Sequence, residues 1–304
     1  MARLFRVGVL VLTAAAGLVV HAQPQQITFF VAAATVTGEP VTDLTAEDFA
    51  VAEDGRQATN VRIVPVKWPI KLTVLVDNGF ETSRFLSLYR SGLKALFAAL
   101  PAGVEASLLT LSPQPRWVVR PTSDAALLSG GTDRITPDES ASRMIEGLVE
   151  AAARIDEESR KQVAYFPVIV VLSTTGPEGS TSLNRDIDRM ASRLTMYPAR
   201  VHVIMLGTGV TSPSQIVGAR QVQVAKIMAD RTGGRYEAIA AASRIPALLA
   251  EYGAMIAEAH AFQSRQYRVT ADRPAGLTGA VGQILAGSTR PGVRFTATAQ
   301  GLKP

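Results

Sequence analysis

Asp77 is the residue whose type and position most invite chemistry. It follows an apolar run, Ile70 to Val76 (IKLTVLV), and precedes Asn78-Gly79-Phe80-Glu81-Thr82-Ser83 and a helical pattern. A carboxylate at such a strand end can ligate a cation or cap the start of a helix, and both readings stand on the sequence. Other candidates carry less. His202 lies in a buried-strand pattern and His260 on a helix, neither with a second His or acid at ligand spacing, so both read as structural. The serines show no Gly-x-Ser-x-Gly elbow, Gly207-Thr208-Gly209 is too short for a dinucleotide fingerprint, and no Walker-type lysine occurs. Asp186 and Asp188 sit two apart on a helix and face different ways, so they form no catalytic pair. Asp133, Asp138 and Glu139 read as solvated charges of a polar loop. The chain has no cysteine, which excludes disulfides, thiolate zinc sites, iron–sulfur clusters and a cysteine nucleophile.

The elements that must hold these residues follow from hydrophobic period. Residues 70–76, 167–172 and 201–206 are continuous apolar runs, the pattern of parallel strands buried on both faces. Residues 104–111 and 236–239 add strands, and 116–120 (RWVVR) a short edge strand. Helical spacing marks residues 83–100, 142–155, 183–196, 216–231 and 243–262. Strands alternating with amphipathic helices predict an α/β fold: a doubly wound, mostly parallel sheet with helices on both faces. The flanks differ. Residues 27–37 are β-branched, Thr45 caps a single helical turn, and Asp54-Gly55 predicts a hairpin between 49–52 and 58–65. Residues 266–270 and 294–298 read as strands around a loop rich in Gly, Pro and Ala. The expected division is 1–22 signal peptide, 23–67 N-terminal β-segment, 68–262 α/β domain, and 263–304 C-terminal β-segment packing with the N-terminal one.

This order of elements, with an aspartate after the first core strand, resembles a von Willebrand factor A (VWFA) domain. The upstream VTDLTAEDFAVAEDG and the downstream QYRV…RPGVRFTA both resemble the bacterial VWFA-related domain family of exported proteins, and together the likeness spans nearly all of residues 23–304. The resemblance implies where a metal-ion-dependent adhesion site would lie. Its first loop, Asp-x-Ser-x-Ser, aligns with Asp77-Asn78-Gly79-Phe80-Glu81: the aspartate is kept and both serines are replaced. Its second-loop threonine aligns with Ser142, and its third-loop aspartate with Thr174. The resemblance therefore implies a degenerate site. Asp77, Glu81 and Ser142 are the remaining metal candidates, Thr174 stands where the acid is missing, no cofactor is expected, and magnesium or calcium would bind weakly.

Composition bounds the setting. The chain has 304 residues, 47% of them hydrophobic and 19% charged, below the roughly 25% charged residues of an average soluble domain, so long disordered tails are not expected. The net charge is +5, with no dense basic stripe interleaved with aromatics, so no nucleic-acid partner is expected. Arg3 and Arg6 precede an uncharged apolar run over 7–20, followed by Val20-His21-Ala22. That is the pattern of a signal peptide cleaved before Gln23, shorter than a span of about 20 residues. The expected protein is exported, periplasmic or secreted, without a membrane span after cleavage. It is not an enzyme but a binding module that recognises a protein or surface partner through the loops 77–83, 131–142, 174–181 and 207–214. The alternatives are a divalent-cation-dependent adhesin using Asp77, Glu81 and Ser142, and an enzyme of unrecognised class.

Overall fold

The computed structural model describes residues 26–298 apart from 198, 209–214, 264, 278 and 280. The signal segment expected over 1–22, and residues 209–214 of the fourth expected loop, lie outside the described residues. In chain order the first strands are β1 (Gln26–Thr35), β2 (Phe49–Glu53), β3 (Arg56–Gln57) and β4 (Thr59–Val66). There follow β5 (Ile70–Val76), α1 (Leu86–Ala98), β6 (Glu105–Thr110), β7 (Arg116–Thr122), α2 (Ala125–Asp133), α3 (Met144–Arg160) and β8 (Phe166–Thr174). Next come α4 (Asn184–Met196), β9 (Arg200–Leu206), α5 (Gln215–Arg231), β10 (Tyr236–Ile239) and α6 (Ile245–Gln263), and the chain closes with β11 (Gln266–Asp272), β12 (Ile284–Ser288) and β13 (Val293–Thr298). The chain divides into two compact units, Trp68–His260 and Met1–Lys67 with Ala261–Pro304.

In the α/β unit, six strands lie in the order β10-β9-β8-β5-β6-β7. All neighbours are parallel except β7, which pairs antiparallel with β6 at the edge. The centre is β8, FPVIVVLST, buried at all nine positions. Successive side chains of a strand face opposite ways. Leu75, Leu109, Ile169, Val171, Val203 and Met205 therefore meet the apolar stripes of α3, α4 and α5 on one face. Val74, Leu108, Val170, Leu172 and Ile204, also buried, face the other. There α1 and α6 pack closely: a Cβ on Gly92 would lie 2.8 Å from Leu249 Cδ1, and one on Gly253 2.8 Å from the Leu96 carbonyl. Each large apolar side chain buried this way stabilises the unit by about 1.5–3 kcal/mol.

The β unit holds two sheets, β13-β1-β11-β4 and β12-β2-β3. Ile27, Phe29 and Val31 of β1, Tyr267 and Val269 of β11, Phe49 and Val51 of β2 and Ile284 of β12 share one core. The Tyr267 hydroxyl, at the end of an otherwise buried ring, accepts the Leu44 N–H at 3.0 Å.

Five expectations need correction. The Asp54-Gly55 turn forms, with both residues at positive φ, but β3 returns for only two residues before β4 crosses to pair with β11 in the other sheet. The expected helix over 83–100 starts as a 3-10 turn (Phe80–Phe85) and becomes α-helical at Leu86. Residues 125–133 form α2, whose Gly-Gly-Thr content reads as a loop. Asp124 fixes its start by accepting the Ala126 and Leu127 N–H groups, so the expected 131–142 loop begins inside a helix. Asp133 ends that helix and pairs with Lys94 at 2.8 Å instead of lying free in a loop. Finally, the Gly- and Ala-rich tail holds β12, paired with β2. Short β-branched content makes such a strand hard to see; its partner supplies the order.

Candidate functional site

The carboxyl ends of β5, β8 and β9 carry the loops around Asp77. The Asp77 N–H donates to the Leu172 carbonyl at 2.8 Å, which extends the β5–β8 pairing and drops the side chain between the two strand ends. The carboxylate is 1% exposed. Its Oδ1 accepts the Gly79 N–H at 2.9 Å, and its Oδ2 accepts the Ser173 and Thr174 hydroxyls, each at 3.2 Å. Burial pushes the Asp77 carboxyl upward in pKa, against the pull of those three donors. Ser142 faces the same carboxylate, but its buried hydroxyl closes no hydrogen bond. The structure thus brings Asp77, Ser142 and Thr174 together. Glu81 stands to the side, its stem against the third loop, where a Cβ on Gly176 would lie 2.7 Å from Glu81 Cγ.

Three further residues complete the site, and sequence reasoning missed their part in it. Gln221 of α5 is fully buried and donates from Nε2 to Ser173 Oγ at 2.6 Å and to the Thr174 carbonyl at 2.8 Å. Its signal is legible afterwards: Gln221 lies on the stripe Val224, Ala225, Met228, and a polar residue on a buried stripe asks for a partner. Tyr89 lies on the buried stripe of α1. Its hydroxyl is buried without a hydrogen-bond partner, and burial, then the Asp77 charge, raise its pKa. Glu178 lies in a stretch expected to be an exposed binding loop, yet it is buried. It accepts the Met144 N–H at the start of α3 at 3.2 Å and the Ser180 N–H at 3.0 Å. Burial pushes it up to about 7 despite those donors. Nothing in its local sequence signals this, because the α3 start that it caps is 34 residues away.

Backbone contacts join the loops into one platform. Asn78 accepts the Ser112 N–H at 2.9 Å and donates to the Thr136 carbonyl at 2.9 Å. Asp138 N–H donates to the Asn78 carbonyl at 2.8 Å. The Asp138 carboxylate accepts the Ser140 N–H and hydroxyl. Ser142 pairs with Glu178 as an isolated parallel bridge, with the Gly179 N–H on the Ser142 carbonyl at 2.6 Å. Phe80 stands out of this platform, 45% exposed.

Ser142 has no base on its hydroxyl, and Ser173 is bonded to a carboxylate and an amide, not to an imidazole. His202 is elsewhere: its Nδ1 accepts the Arg235 N–H at 3.1 Å, its ring meets Tyr252 edge-on, and burial depresses it to about 4. A divalent cation wants about six oxygen ligands with enough negative charge to offset its dehydration. Asp77 brings one charge, and both its oxygens already accept internal donors. Thr174, at the place of the missing acid, points a hydroxyl proton at Asp77. Among the described residues no three His, Asp or Glu side chains gather as a metal-binding group. The residues present do not fit a divalent ion.

A parallel sheet wound on both faces, with an aspartate at the end of its central strand β5 and an antiparallel edge strand, defines the von Willebrand factor A fold, and this chain has it. The solved von Willebrand factor type A protein from Catenulispora acidiphila superposes with a TM-score of 0.52 at 12% identity, covering 84% of this chain and 73% of that one. The pilus adhesin SpaC from Lactobacillus rhamnosus GG gives 0.47 at 10% identity, over 79% of this chain and 47% of that one. BatB from Bacteroides thetaiotaomicron gives 0.42 at 14% identity, over 62% and 99%. At these identities the likeness is one of fold. No protein-family model and no curated protein matches the sequence. Among the described residues, no helix is long and apolar enough to cross a membrane.

Proposed function

We propose that this chain is an exported, non-catalytic binding module that recognises a protein partner through the strand-end face of its α/β unit. One observation carries the reading: the loops around Asp77 are hydrogen-bonded to each other into a platform that presents Phe80 to solvent. An aromatic anchor on a pre-ordered surface loses little freedom on binding, which is how a small face gains affinity. Export rests on Arg3, Arg6 and the apolar run over 7–20. N-terminal sequencing of the mature protein tests it, with Gln23 expected as the first residue.

The recognition reading is tested by placing a photo-crosslinking residue at position 80 and, as a control, at Val163. Val163 is 42% exposed and precedes β8, at the opposite end of the sheet. A discrete adduct formed only from position 80, with Phe80→Ala lowering recovery of the same partner and leaving the melting midpoint unchanged, is the expected result. Equal labelling from both positions would sink the proposal.

A further inference from the structure

The first loop closes on itself where the second ligand of a cation site would stand. Gly79 has φ −67° and ψ 178°, open to any residue, yet a Cβ there would lie 2.7 Å from the Ser140 carbonyl oxygen and 3.0 Å from Ser112 Oγ. The Ser140 carbonyl stands in that space, and its loop is held by the bonds of Asn78 to Ser112 and Thr136 and of Asp138 N–H to the Asn78 carbonyl. The stem of Glu81 fills the matching space over Gly176. Inside, Asp77 takes its bonds from Gly79 N–H, Ser173 and Thr174, and Gln221 holds Ser173 from behind. Two donor hydroxyls, one backbone N–H and an amide occupy positions where a cation would need acceptors.

We infer that this network does the work of the cation: it fixes the β5 and β8 ends to each other and to α5, so that the recognition face is assembled and functions without a divalent ion. Gln221 is a positioning residue here, acting on Asp77 through Ser173. The occupant expected on the face is a protein surface of apolar and neutral polar groups that packs on Phe80, because no Lewis acid is offered to a partner carboxylate. That last clause rests on the proposed recognition role; the network itself does not.

The full mature chain is titrated with manganese, magnesium and calcium chlorides by calorimetry, and melted with each salt and with EDTA. The expected result is no saturable heat and a midpoint that moves by less than about 1 °C. A real site at about a hundredfold excess of ion over its Kd would raise the midpoint by roughly 5–10 °C. Asp77→Asn keeps an acceptor oxygen for the Ser173 and Thr174 hydroxyls but turns an amide NH2 toward the Gly79 N–H, and is expected to fold with a midpoint lowered equally with and without manganese. Gln221→Met is expected to lower the midpoint equally with and without manganese. Thr174→Asp replaces a donor by a second acid and is expected to gain a manganese-dependent rise that the parent lacks. Saturable manganese heat in the parent, abolished by Asp77→Asn, overturns the inference even if Thr174→Asp does not fold. Partner capture at Phe80 that persists in EDTA supports the cation-free face. Capture lost in EDTA overturns it while leaving the recognition role intact, and absence of any capture counts against that role alone.

Discussion

Asp77 and Glu53 are both carboxylates sealed from water, 1% and 0% exposed, and the two units of the chain handle them in opposite ways. In the β unit, Glu53 meets Arg273 in a fork, Nη2 to Oε1 at 2.6 Å and Nε to Oε2 at 2.9 Å, and also accepts the Gly282 N–H at 2.8 Å. Burial works to raise its pKa, but the guanidinium and the N–H prevail, and Glu53 stays below its ordinary value. In the α/β unit, Asp77 has only neutral donors, burial prevails, and its pKa rises. Glu178 and His202 in the same unit follow Asp77: each is driven toward its uncharged form, to about 7 and about 4. The lesson is that hydrogen bonds from neutral groups moderate the cost of burying a charge, whereas a counter-charge at fork geometry reverses its sign.

The largest expected effect comes from breaking the fork. Glu53→Ala removes the fork that the Arg273 guanidinium, 5% exposed, makes with Glu53, and should cost about 3–5 kcal/mol. Urea unfolding measures this; a loss as small as that of an ordinary surface substitution would mean the pair is not buried in solution. The β unit also offers an exposed fork, Arg290 to Asp43 at 2.9 and 3.1 Å.

The next effect concerns pH in the α/β unit. His202 is neutral when folded and has a folded pKa below its unfolded one. Its share of stability is full above about 6.5 and is lost as pH falls from there toward 4. Glu178 has a folded pKa above its unfolded one. Its share is full below about 4.5 and is lost as pH rises through 7. At about 1.4 kcal/mol per unit, each is worth roughly 3 kcal/mol across its window. In Glu178→Gln the alkaline loss should vanish, leaving a variant as stable as the parent or more so near pH 8. In His202→Leu the acid loss should shrink, at the cost of the Arg235 contact. Stability curves of the two variants with parallel slopes would refute the assignment of opposite signs.

Asp43→Ala closes the series. The pair is 41% and 68% exposed, solvent screens it, and its removal should leave the denaturation midpoint within error. A clear shift would show that fork geometry matters more than burial, and would blur the contrast between the units.

The three central strands are legible because a strand buried on both faces must be apolar throughout, as 70–76, 167–172 and 201–206 are. The positions of Asp77, Ser142 and Thr174 at element ends are legible because each adjoins a strong periodic element. The replacement of Glu81's expected role is not legible, since a carboxylate in the right loop can turn its stem to a neighbour and its charge to water. Nor is α2 legible: its nine residues with two glycines carry little helical signal of their own, and Asp124 and the packing on α1 hold it.

By itself the sequence determined most strands and helices of the α/β unit, that its sheet is mostly parallel, and that Asp77 lies at a strand end, because period and apolarity are local properties. Tertiary structure alone decided what surrounds that aspartate. Its donors come from residue 79 next door and from 173 and 174 almost a hundred positions on, and Gln221 holds Ser173 from behind. Their convergence depends on strand order and helix docking, which set distances that no spacing along the chain records. For the same reason Glu53 and Arg273, 220 positions apart, become an ion pair only when the two sheets of the β unit close on a common core.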